Sequence, residues 1–248
     1  MSVGGILGES WNLYTKFFTR FFVIAVIVFA IVNLLNALVA TLFGHGAGIA
    51  VLLALITDVV ALVGTFWLQG ALVYAVEDVR DGRVDTTIGQ IFERVQPYLW
   101  TLILAGILAA LGIAVGLLLL IVPGLILVTW WCLMVPVIVL EEKHVGEAFS
   151  RSRELVRGHG WTVFGVVIIA GILSGIAAGI IQAIFSFFGP FLRIWVGGTI
   201  SSAIVGPFVA IALTLMYFTL RDLKAEPAAA APAAPAPEGS PTDSSAER

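Results

Sequence analysis

Six long apolar stretches constrain this chain more than any other feature: 21–43, 49–76, 101–122, 125–140, 161–188 and 194–220. A bilayer core about 30 Å thick is crossed by about 20 apolar residues of helix. Lipid offers no partner to free backbone N–H and C=O groups, so each crossing must be helical. The expected fold class is therefore all-α: a polytopic membrane protein of six transmembrane helices. With 60% of residues apolar and 12% charged, against about 45–50% and 25% in soluble domains, the composition excludes a water-soluble globular enzyme and a disordered chain. The single Cys132 cannot form an internal bridge, which excludes a disulfide-stapled domain.

The stretches are not alike. The first follows Lys16 and Arg20, has no small-residue cleavage site, and reads as an anchor rather than a removed signal. The fourth is short, so either it runs on through Glu142 or the turn before it dips below the membrane surface. Connections alternate in character. Gly44-His45-Gly46-Ala47-Gly48, Pro123-Gly124 and Gly189-Pro190 are nearly uncharged, whereas 1–20, 77–100, 141–160 and 221–248 are polar. Twelve of the 13 Lys and Arg lie in the polar set, Arg193 being the exception. The positive-inside rule then places both termini and both long loops in the cytoplasm of a cell (inner or plasma) membrane. Residues 1–224 hold 12 bases and 12 acids. No net basic field exists, so nucleic acid is not an expected partner.

An internal pattern recurs three times. At an offset of 61 residues, Val84, Ile88, Glu93, Val95, Trp100 and Thr101 fall on Val145, Phe149, Glu154, Val156, Trp161 and Thr162. At an offset of 81, Leu7, Gly8, Trp11, Tyr14 and Phe17 fall on Ile88, Gly89, Phe92, Val95 and Tyr98. Each copy predicts an amphipathic helix feeding a helical hairpin. Such helices lie on the leaflet surface or pack under the bundle, and the two are compatible. Gln96-Pro97 and Gly158-His159-Gly160 should stop the second and third copies. The first has no such breaker and is expected to run into its span. The domains are a six-span membrane domain, 1–224, and an Ala/Pro-rich tail, 225–248, too poor in apolar residues to fold.

Few residues could carry chemistry. Asp58 is the only acid inside a predicted span, where a carboxylate costs roughly 2.5–3.5 kcal/mol. It is either a proton or cation site in a transporter or a carboxyl hydrogen-bonded to Asn33, Asn36 or Gln182. Gly112/Gly116 and Gly171/Gly175/Gly179 are small-xxx-small series that let helices approach closely. Pro136 should kink the fourth span. Trp130 and Trp131 sit mid-span, marking a misplaced boundary or a packed core, and Cys132 reads as a small buried hydrophobe. Glu141, Glu142 and His144 match no metal pattern and read as a solvated loop, so no metal, cofactor or catalytic residue is expected. Arg151, Arg153 and Arg157 form the densest cationic patch. They either meet lipid phosphates or pair with Glu147 and Glu154 along a wet face.

This last stretch resembles a known family. Pro136, Glu141 and Ala148-Phe149-Ser150-Arg151-Ser152-Arg153-Glu154-Leu155-Val156-Arg157-Gly158 are similar to the pattern of glycerophosphoryl diester phosphodiesterase membrane domains. That pattern has a Pro in a span, a Glu at its end, then Ala-x-x-Arg-Ser-x-x-Leu-x-x-Gly. Gly70-Ala71 and Gly82 fit as well, and the likeness covers about residues 1–222. It implies a six-span bundle, mostly of unknown activity, which in some members precedes a metal-dependent phosphodiesterase barrel. That barrel is expected to be absent, because the last span leads into the Ala/Pro tail, so no catalytic residue carries over. Arg151 is expected to reach helix-end carbonyls or Glu141 and pin the amphipathic helix, with Ser152 on its buried side.

The expectation is a non-enzymatic membrane scaffold or lipid-associated module whose partners are the bilayer and anionic headgroups. A permease using Asp58 is the alternative, and a membrane-embedded enzyme at Glu141–His144 the third reading. A polar cavity reaching Asp58 would favour transport; a tightly packed bundle would favour the scaffold.

Overall fold

The computed structural model describes residues 2–42, 48–80, 82 and 84–229, leaving aside the side chains of 48–50 and 226–229. The described residues contain no strand. The order is α1 (Val3–Lys16), α2 (Phe18–Leu42), α3 (Gly48–Val79), α4 (Ile88–Val95), a 3-10 turn (Gln96–Tyr98) and α5 (Leu99–Leu119). Then follow α6 (Ile121–Trp131), α7 (Met134–Glu141), α8 (Val145–Val156), α9 (Gly160–Phe185), α10 (Pro190–Leu192), a π-helical turn (Arg193–Gly197) and α11 (Gly198–Ala229). Six helical units are long and apolar enough to cross a membrane. Each of the three hairpins is preceded by a short helix, α1, α4 or α8, and the end of the bundle that carries α4 and α8 is termed basal below. The turn at 43–47 lies outside the described residues, as does most of the predicted tail, although α11 continues to Ala229 and takes in 225–229.

Local chemistry sets these boundaries. Ser2 caps α1 by accepting from the Gly5 N–H, and Thr87 and Gln90 form a reciprocal capping box at α4. Gly158 ends α8 at φ +93°, a left-handed conformation open to glycine. The first copy does break, contrary to expectation. Phe17 leaves helical geometry at φ −114°, ψ 25°, and α2 restarts at Phe18. No Gly or Pro is needed, because packing of α1 against α11 turns the chain. Tyr14 donates its hydroxyl to the Ile204 carbonyl at 3.0 Å, and burial pushes that phenol up to about 12.

The fourth span also departs from expectation. The chain reverses at Leu120, which is extended, and Pro123-Gly124 lie inside the first turn of α6, where a missing N–H costs nothing. The span therefore runs from Ile121 to Glu141 and is of full length. It is broken at Cys132–Leu133. Pro136 has no N–H for the Cys132 carbonyl and its ring crowds that carbonyl, which places the break four residues before the proline.

The core occupies the basal half. Phe21, Ile24, Leu68, Leu72, Leu133, Ile138, Ile211, Met216 and Tyr217 are fully buried there. Gly106 admits the Phe66 ring, since a Cβ on it would stand 1.8 Å from a ring carbon. Gly112 and Gly116 seat Trp131 and Gly124, as the small-xxx-small reading requires. Gly171, Gly175 and Gly179 do not: a Cβ on any of them meets open space, because that face of α9 has no neighbouring helix.

Candidate functional site

The third short helix, α8, carries the site. Ala148, Ser152, Leu155 and Val156 form its buried stripe at helical spacing. The Ser152 hydroxyl donates to the Trp130 carbonyl at 2.6 Å. Arg151, the adjacent residue, binds the Glu141 carboxylate through Nε at 3.0 and 3.2 Å. On a straight helix Trp130 and Glu141 would stand about 16 Å apart. The Pro136 break folds α6 towards α7, so that α8 seats in the crook and touches both. Trp131 packs on Phe149 with ring centroids 4.9 Å apart. The two tryptophans are half-buried and form part of the seat of α8.

Electrostatics divide the arginine trio. Arg151 also reaches Glu154 at 3.0 Å, and Tyr217 donates to Glu141 at 3.0 Å. Partial burial works against the Arg151 charge, yet Glu154 and Glu141 outweigh it and hold its pKa above the ordinary value. Lys224 caps the Glu154 carbonyl. Arg153 lies over the Trp130 ring at 4.2 Å. Arg153 and Arg157 are exposed, and neither pairs with a carboxylate among the described residues. The expectation of salt bridges along this face holds for Arg151 alone; Glu147 pairs with Lys143 instead, at 3.9 Å.

The residues of the family-like pattern all have structural work. Arg151 pins α8 to Glu141, as expected. Gly158 terminates the helix. Gly70 lets α4 approach α3, since a Cβ there would meet a Val95 methyl at 2.5 Å. Gly82 sits at φ +82°. A second clasp was not read from sequence. Arg20 binds Asp78 at 2.6 Å, both nearly buried, and donates to the Thr86 carbonyl at 2.7 Å, while Thr86 also bonds Asp78. It ties the start of α2 to the end of α3. The charges were visible as a group outside the spans, but their pairing across 58 residues had no local signal.

The intramembrane polar residues need correction. Asp58 bonds none of Asn33, Asn36 or Gln182; it lies on the exposed outer face of α3 beside Leu55 and Val59. Asn33 donates instead to the Phe29 carbonyl, one turn back, at 2.9 Å. Asn33 and Gln182 line a small cavity with Arg193, Ile194 and Gly198, and Asp58 is not among its lining residues. Asn36 is half-buried on α2. A larger cavity of about 520 Å³ lies inside the bundle and is lined from all six spans, Phe29, Gln69, Ile113, Cys132, Val167 and Gly206 among them. It is overwhelmingly apolar and does not reach Asp58. Cys132 is half-buried at its wall. Among the described residues, no three His, Cys, Asp or Glu side chains gather as a metal site would require.

Helices that cross a membrane, short amphipathic helices docked by buried polar contacts, and an apolar interior cavity define an α-helical multi-pass membrane protein. Residues 86–223 match the family described as a domain of unknown function, DUF7847. That match takes in more than half of the chain, from α4 into α11, and the protein belongs to this family. No curated protein and no solved structure matches it.

Proposed function

We propose that this protein is a non-enzymatic, lipid-associated membrane module of the cell membrane, with its basal face in the cytoplasm. The single observation that carries the reading is the division of labour on α8. Arg151 is consumed in holding the helix, while Arg153 and Arg157 stand exposed and pair with no carboxylate among the described residues. At a membrane surface such cations meet anionic phosphates, each gaining about 1 kcal/mol. Trp100 and Trp161, the equivalent residues of two repeat copies, are 78% and 87% exposed at the starts of their spans, where indoles anchor at the headgroup level. A permease path through Asp58 finds no such support, since Asp58 lines neither cavity described above. The likeness to glycerophosphoryl diester phosphodiesterase membrane domains is taken into this reading as a likeness of fold alone, with no activity attached.

The test is the lipid shell. In nanodiscs of mixed zwitterionic and anionic lipid, the wild-type protein should enrich the anionic species, and added salt should weaken the enrichment. The Arg153→Ala/Arg157→Ala double variant should lose most of it while its circular dichroism stays unchanged. Equal enrichment in both proteins would refute the reading.

A further inference from the structure

Arg193 is the one Lys or Arg outside the four polar segments. It opens a π-helical turn, a geometry that is rare and concentrates at functional positions. The turn is held by neighbours. Trp195 donates its indole N–H to the Ala30 carbonyl at 3.2 Å, and Gly197 and Gly198 lie so close to Phe185 and Asn33 that a Cβ would stand 2.9 and 3.0 Å from them. Arg193 is exposed and pairs with no carboxylate among the described residues; the Gln182 side-chain amide likewise makes no hydrogen bond there. Together with Asn33 they line a cavity of about 340 Å³ at the end of the bundle opposite the basal face.

This cavity and the central one stack on the same three helices. On α2 they share adjoining turns, Asn33 above Phe29. On α11 they are lined by Gly198 and Gly206, and on α9 by Gln182 and Gly171. Gly171, Gly175, Gly179 and Gln182 fall on one face of α9, and the three glycines border open space. From Gly171 to Gln182 is about 16 Å along the helix, close to half of a hydrocarbon core about 30 Å thick. The central cavity, about 520 Å³ and apolar, lies within the ~300–1,000 Å³ range of ligand sites.

We propose that the seam between α2, α9 and α11 is a phospholipid-binding site. The lipid phosphate sits against the Arg193 guanidinium and the Gln182 amide, whose N–H groups suit an oxyanion. One acyl chain runs past Gly179 and Gly175 into the central cavity. A cation and an amide without a hydrogen-bond partner among the described residues, with an apolar cavity deeper in the bundle, match a molecule that has both a phosphate and a long chain. The site is independent of Arg153 and Arg157.

Native mass spectrometry of the full chain in mild detergent tests this, with dioleoyl phosphatidylglycerol and dioleoylglycerol as probes. One phosphatidylglycerol per chain should survive delipidation, whereas dioleoylglycerol, with the same chains and no phosphate, should not. Arg193→Gln should lower retention about tenfold, the scale of a lost hydrogen bond to a charged group. Gly171→Leu, which places its side chain in open space at the cavity wall, should lower it as much with Arg193 intact. Equal retention of both lipids, or retention indifferent to either substitution, would overturn the proposal. Loss of the retained lipid in Arg153→Ala/Arg157→Ala but not in Arg193→Gln would also overturn it, while leaving the basal reading standing.

Discussion

Ser152 and Arg151 are neighbours that serve different bonds. The Ser152 hydroxyl satisfies a Trp130 carbonyl beside the helix break, and Arg151 neutralises Glu141 next to Tyr217. Removing Arg151 leaves the Glu141 carboxylate with the Tyr217 hydroxyl alone, and removing Ser152 takes a side-chain donor from the Trp130 carbonyl. Ser152→Ala is expected to cost about 1–3 kcal/mol, and Arg151→Ala about 2–3 kcal/mol, because its bond is charge-assisted. Both should lower the thermal midpoint in detergent, while Arg157→Ala should leave it within experimental error. A midpoint unmoved by Arg151→Ala would mean that the Glu141 contact is surface decoration. The sequence offered Arg151 two partners, helix-end carbonyls or Glu141, and the structure selects Glu141. The Ser152–Trp130 bond was not legible in the sequence, since it depends on where Pro136 breaks the span.

The three short helices share a place in their repeats and differ in how they dock. Tyr14 fastens α1 to α11. For α4, the Trp67 indole N–H donates to the Phe92 carbonyl at 3.0 Å, Arg94 lies over the Tyr74 ring, and Gly70 allows the close approach. Helix α8 uses the crook of the fourth span. The repeat therefore specifies amphipathic helices, and each partner helix specifies its own contact. Gly70→Val tests this at α4: the side chain must displace Val95, an overpacking cost of about 1–3 kcal/mol. Proteolysis of the 80–87 loop should then accelerate, while cleavage in the 142–145 loop beside α8 stays at its original rate. Acceleration at both loops would show that the short helices dock as one unit.

At the scale of the whole molecule, a dense basal core tapers towards the other end, where Leu117–Val122 and the glycine face of α9 are exposed. Such a taper suits a protein whose outer surface and clefts are solvated by hydrocarbon rather than water. The proposed orientation makes a direct prediction. An engineered cysteine at position 90 should resist a membrane-impermeant thiol reagent in intact cells and react after permeabilisation. Labelling of intact cells would reverse the orientation and move Arg153 and Arg157 to the exterior.

The sequence by itself determined the number of spans, the segregation of charge, the three short helices and most of their buried stripes. These follow from hydrophobic periodicity and from the backbone's need for internal partners in lipid, both local properties. Only the tertiary structure decided what the polar groups do. It set Asp58 facing outward, joined Arg20 to Asp78, left Arg153 and Arg157 without a carboxylate among the described residues, and set one cavity beside Arg193 and another deeper in the bundle. Those outcomes turn on the rotation of each helix about its axis and on one break at Cys132–Leu133, which depend on packing between segments distant in the chain.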